Sequence, residues 1–102
     1  MIRFLMATAL MVGSAAQAET KAERKERCEL QGTIVTMAVE FRNDNKRSKR
    51  AIRLIKKDEG IAGSPHEGIV DVLVPWIYSL PPVQLTPEAT EAFVEACVAH
   101  EQ

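Results

Sequence analysis

The chain has 102 residues, of which 26% are charged and 46% apolar, a net charge of −1, and only two cysteines. That is enough sequence for one domain and too little for two. Two cysteines in total leave no CxxC redox pair, no haem-attachment motif and no cysteine zinc cluster, and no internal repeat or low-complexity tract is present.

The first residues divide into a short leading zone with Arg3, an apolar run from Phe4 to Val12, and small residues ending in Ala16-Gln17-Ala18. This pattern predicts a cleaved secretory signal over residues 1–18, with cleavage between Ala18 and Glu19. The nine residues of this run fall well short of the roughly 20 that span a bilayer, which argues against a membrane anchor. No cysteine follows the cleavage point to carry a lipid, so the expected product is an exported protein, periplasmic or secreted, with no transmembrane segment in the mature chain.

Removing 18 of the 102 residues leaves 84, expected to form a single helical domain over 19–102. A chain of that size buries about 60% of its unfolded surface and gains from a covalent staple. Cys28 and Cys97 remain, and in an oxidising compartment an even pair predicts a disulfide. The alternative, two separate buried thiols, fits that compartment less well.

From about Thr20 to Arg42, Leu30, Ile34, Met37 and Phe41 recur four, three and four residues apart, the spacing of one helical face. Cys28, Val35 and Val39 fall on the opposite side, so this helix is expected to lie between neighbours. The β-branched run Thr33-Ile34-Val35-Thr36 is the argument for a strand instead. After Asn43 to Asn45 a second helix is expected to about Lys57. It places Ala51, Ile52, Leu54 and Ile55 on one side and Lys46, Lys49, Arg50, Arg53, Lys56 and Lys57 on the other.

Ser64-Pro65-His66-Glu67 has the form of a capping box and predicts a third helix starting at Pro65. Its expected apolar face is Ile69, Val70, Leu73, Trp76, Ile77 and Leu80, opposite Asp71, Pro75 and Tyr78. The phase continues through Pro75, so a kinked helix is expected there rather than two elements. Pro81-Pro82 stops it. Thr86-Pro87-Glu88 then starts a last helix, whose expected buried stripe is Ala89, Ala92, Phe93, Ala96 and Cys97. The expected fold is all-α, a small four-helix domain stapled by one disulfide across its ends.

The motifs of enzymes are missing: no glycine-rich phosphate loop, GxSxG, HExxH or EF-hand loop occurs. His66 and His100 have no partners at metal-ligand spacing, so structural or surface roles are expected of both, with no metal and no cofactor. Asp71 reads as a solvated residue rather than a catalytic acid, and Trp76 and Phe93 as core rather than a ligand cage. The expectation is a protein without enzymatic activity.

Charge carries more information. Residues 42–57 hold eight basic side chains against the single acid Asp44, and residues 58–102 hold eight acids with no lysine or arginine. The near-neutral sum conceals a dipolar chain. One reading is that the halves neutralise each other as ordinary solvated faces. The functional reading is that the basic helix meets an anionic envelope component or an acidic protein partner. DNA does not fit, because the compartment is wrong and the acidic half repels it. In size, helical character and a single disulfide the chain resembles the small acid-stress chaperones of the bacterial periplasm, although its cysteines stand further apart. That resemblance implies, as the alternative role, a chaperone activated when acid neutralises the carboxylates.

Overall fold

The computed structural model describes residues 19–100. The expected export signal and Ala18 lie outside the described residues. Thr20 starts helix α1 by a reciprocal cap: its hydroxyl accepts the Glu23 amide at 3.0 Å, and its own amide donates to the Glu23 carboxylate at 2.8 Å. The cap satisfies two amides that have no partner inside a helix, and losing such a residue typically costs about 1 kcal/mol. α1 runs over Lys21–Asn43 and includes Thr33 to Thr36, so the strand reading of that run does not hold. β-branching costs a helix only up to about 0.7 kcal/mol per residue, less than the burial of Ile34 and Val35 returns.

α1 ends because Asn45 turns left-handed, with φ of 63°. In that conformation the Asn45 amide reaches the Arg42 carbonyl at 3.0 Å and the Lys46 amide reaches that of Phe41 at 2.9 Å. These two bonds close a Schellman motif, in which asparagine is the usual substitute for glycine. The chain reverses at once into α2, Ser48–Lys56.

The third helix starts later than Ser64-Pro65-His66-Glu67 suggests. Gly63 has a φ of 73°, and its amide, rather than that of Ser64, donates to the Glu67 carboxylate at 2.8 Å. The Ser64 hydroxyl accepts from the His66 amide, not from Glu67, and donates to the Ile61 carbonyl. The capping groups are therefore used in a turn, with Ile61 buried beneath it. A short 3₁₀ segment, Glu67–Ile69, leads into α3, Val70–Ser79. α3 continues through Pro75, whose missing N–H leaves the Asp71 carbonyl without its usual helical donor. A second 3₁₀ segment, Pro82–Gln84, and the buried Leu85 lead to α4, Pro87–Ala99. The described residues are thus all-helical, with four α-helices and no strand.

α1 is central: α2, α3 and α4 all pack against it, and α2 also packs against α3. Both faces of α1 are used, with Ile34 and Ala38 fully buried and Cys28, Val35 and Val39 buried as well. α4 runs antiparallel to α1 along a narrow seam. Cys28 and Cys97 are joined by a disulfide with Cα atoms 5.7 Å apart, and the Thr36 and Thr90 hydroxyls meet at 2.8 Å. Between them Gly32 faces Val94 so closely that a Cβ on Gly32 would lie 2.6 Å from Val94 Cγ2.

The inward face of α4 is therefore Thr90, Val94 and Cys97 with Phe93. The expected stripe is corrected, because Ala92 and Ala96 are exposed. On α3 the buried side chains are Val70, Leu73, Val74 and Ile77, whereas Trp76 is 41% exposed and not core. Tyr78, expected on the solvent side, is half-buried against the core, and its hydroxyl donates to the Lys46 carbonyl at 2.6 Å. Arg42 fixes the end of α3 by donating to the carbonyls of Ile77 and Leu80, with its guanidinium 5.9 Å from the Tyr78 ring centre.

Candidate functional site: the basic corner

The α1–α2 reversal and the first two turns of α2 bring Lys46, Arg47, Lys49, Arg50 and Arg53 around one shallow depression of about 560 Å³, with Asp44 and Asn45 on its lining. The local cause is the Schellman turn, which places Lys46 and Arg47 beside the start of α2 instead of along α1. α2 is anchored beneath by the buried Ala51 and Ile55, so its charges point outward. Arg47, Lys49, Arg50 and Arg53 are exposed, and Lys46 is half-buried, with its ammonium 6.0 Å from the Phe41 ring centre. Among the described residues none of these five cations lies within 4.0 Å of a carboxylate.

The helix supplies no compensation either. Arg47 occupies the N-cap position with no side-chain hydrogen bond to the first turn, and that turn holds no acid. The amides of Ser48, Lys49 and Arg50 carry the positive end of the helix dipole and have no partners inside the helix. Each cation placed there costs about 0.3 to 1 kcal/mol rather than stabilising the helix. Positive side chains and the positive helix end thus act in the same direction, and Asp44 is the one acid on the lining to offset them.

Sequence reasoning groups six basic residues on one helical side; the structure divides them. Lys46, Lys49, Arg50 and Arg53 come together. Lys56 is committed elsewhere, its ammonium 2.7 Å from the Asp71 carboxylate on α3, and Lys57 sits at the C-terminal cap of α2. Arg47 joins the corner although a helical wheel overlooks it, since it precedes the helix and its place depends on the turn. The Lys56–Asp71 pair also shows how far the two charged halves neutralise each other: it is the one ion pair between them among the described residues. The remaining ion pairs join Glu19 to Arg24 and Arg27 at the start of α1.

Other candidates resolve as follows. Asp71 is exposed and paired with Lys56. His66 is half-buried in the turn before α3, beside Glu23, Glu26 and Arg27, and His100 is the exposed C-cap of α4. Among the described residues no group of three His, Cys, Asp or Glu side chains converges as a metal site. Nor is any described helix long and apolar enough to cross a membrane. Two carboxyls are held below their ordinary range, Glu19 by its hydrogen bond from Arg27, and Glu88 by its own amide and the Thr86 hydroxyl at the start of α4. Burial pushes the Tyr78 hydroxyl up, against a smaller opposing pull from Arg42.

Comparison of the chain with protein-family models, with curated proteins and with solved structures finds no match.

Proposed function

We propose that this is an exported, non-catalytic interaction protein that docks an anionic envelope component on the basic corner. The observation that carries the reading is the set of five cations at one corner, with Asp44 the one acid on its lining and no carboxylate within 4.0 Å of any of them, at a helix start that carries positive charge of its own. Lipid head groups, lipopolysaccharide and acidic protein segments share the chemistry that fits. Near an anionic surface each lysine or arginine contributes about 1 kcal/mol, so a cluster of five is enough for reversible association. Exposed charges are screened over about 10 Å in 0.1 M salt, and the association should weaken accordingly.

Co-sedimentation of the purified protein with anionic and with zwitterionic vesicles tests the reading. Binding to the anionic vesicles alone, reversed by salt, supports it. Equal binding to both, or binding indifferent to salt, refutes it. Intact mass of the exported protein tests the address separately, with a chain beginning at Glu19 as the expected form.

A further inference from the structure

On another part of the molecule, α3 and α4 enclose a groove of about 470 Å³ that is almost wholly apolar. Trp76 and Leu80 form one wall, Ala89, Ala92 and Ala96 the other, and Phe93 lies with its ring centre 5.9 Å from that of Trp76. Gln84 and Glu88 are the only polar side chains on its lining. The exposure continues beside it. Val72 is 61%, Trp76 41% and Val83 80% exposed, and these are the large hydrophobic side chains left exposed among the described residues, all within residues 72–83. A small domain that leaves its single tryptophan and two valines in water carries an apolar face suited to a partner.

The charge around the groove limits what that partner is. From Asp58 onward the chain has eight acids and no lysine or arginine. Glu88 lies on the groove lining itself, and Glu95, seven residues or about 10 Å further along α4, is exposed on the adjoining edge of the helix, where it also lines the depression shared with Glu29 of α1. A second copy meeting this groove with its own would bring Glu88 of both copies to an interface whose lining holds no lysine or arginine. A second copy offering α2 would bring cations but no apolar face, because Ala51 and Ile55 are buried in its own core. A fatty-acyl anion meets the same repulsion as the first case. What remains is an apolar stripe carried together with positive charge.

We infer that the α3–α4 groove is the docking site for a cationic amphipathic helix of a partner protein. Its apolar side chains at i, i+3 or i+4, and i+7 lie on Trp76, Phe93 and the alanines, and its lysines or arginines face Glu88 and Glu95. Alanine at 89, 92 and 96 leaves the depth such side chains require. This inference is independent of the basic corner.

Trp76 is the only tryptophan of the chain and lines the groove, so its emission reports occupancy directly. The probe is a synthetic helical peptide of leucine and lysine in amphipathic order, without tryptophan, compared with the same peptide carrying glutamate for lysine. The expected result is a saturable blue shift with the lysine peptide, at least tenfold weaker with the glutamate peptide. Ala92→Arg, an exposed position, should weaken the lysine peptide at least tenfold, and the pair Glu88→Gln with Glu95→Gln several-fold. Lys49→Glu with Arg53→Glu should leave it unchanged, which separates a failure here from a failure of the basic corner. Equal binding of both peptides, no shift with either, or binding that survives Ala92→Arg overturns the inference. So does a concentration-dependent Trp76 shift without peptide, which would identify a second copy as the occupant.

Discussion

Breaking the Cys28–Cys97 disulfide is expected to remove much of the stability of the fold, and the structure indicates where the loss begins. The bond joins positions 69 apart, and in the chain-entropy model closing a loop of that length is worth about 4 kcal/mol. A domain of this size is stable by only about 5 to 15 kcal/mol in total. For 60 to 100 residues each kcal/mol moves the melting midpoint by roughly 4 to 8 °C, so reduction should lower it by roughly 16 to 32 °C. α4 has no fully buried residue, and the closest contacts of its seam to α1 besides the disulfide are the Gly32–Val94 approach and the Thr36–Thr90 hydrogen bond. It should detach first and take Phe93 away from Trp76. Thermal melts followed by circular dichroism and by Trp76 emission, with and without a phosphine reductant, measure both effects. A midpoint shift under about 5 °C would refute the reasoning, because the α1–α4 seam would then hold without its covalent link.

Three further outcomes follow from particular contacts. Gly32→Ala should lower stability by about 1 to 2 kcal/mol although alanine is the better helix former by about 1, because the added Cβ meets the stiff, β-branched Val94; a variant that resists urea as well as the parent would show that the helices can separate freely. Arg42→Ala should cost about 2 kcal/mol in urea unfolding, since it strips the charged donor from the Ile77 and Leu80 carbonyls. A cost near zero would mean that water caps α3 equally well. Tyr78, the only tyrosine, has a folded pKa above its usual value of about 10, so its contribution is intact below about pH 10 and lost as pH rises through the folded value. Absorbance at the phenolate band should titrate later in the folded than in the unfolded protein, and Tyr78→Phe should remove that part of the alkaline loss.

The sequence reads most clearly where one interaction dominates. α1 repeats apolar residues on two faces, which only a helix flanked by neighbours tolerates, and the two cysteines meet because Cys28 is in phase with the buried Val35 and Val39 of α1 and Cys97 with the half-buried Thr90 and Val94 of α4. The reciprocal cap of Thr20 and Glu23 also has a sequence form, a threonine followed three residues later by glutamate. Other features depend on atoms distant in sequence. The Ser64-Pro65-His66-Glu67 pattern is consistent with a helix start until Gly63 turns left-handed and claims the Glu67 carboxylate. Periodicity marks Trp76 as apolar and in phase, yet its burial requires a covering element, and α3 has α1 and α2 as partners with α4 standing off across a groove. On α4 the alanines give weak phase information, and the rotation is set by Gly32, which admits Val94. The basic side was evident from composition. Its division into a free corner and a neutralised end depended on Asp71 reaching Lys56.

The central claim is that position, not total charge, makes the corner a docking site, and one comparison tests it most directly. Arg50→Glu with Arg53→Glu and Lys21→Glu with Lys25→Glu change the net charge equally, one pair at the corner and the other on exposed positions near the start of α1. Equilibrium binding to anionic vesicles at low salt should fall by at least a hundredfold for the corner pair, since each lost cation is worth about 1 kcal/mol and each new carboxylate is repelled. The α1 pair should fall by less than about fivefold, because its charges lie away from the docked surface. Equal losses for the two pairs would contradict the account, leaving only a net-charge effect and no site.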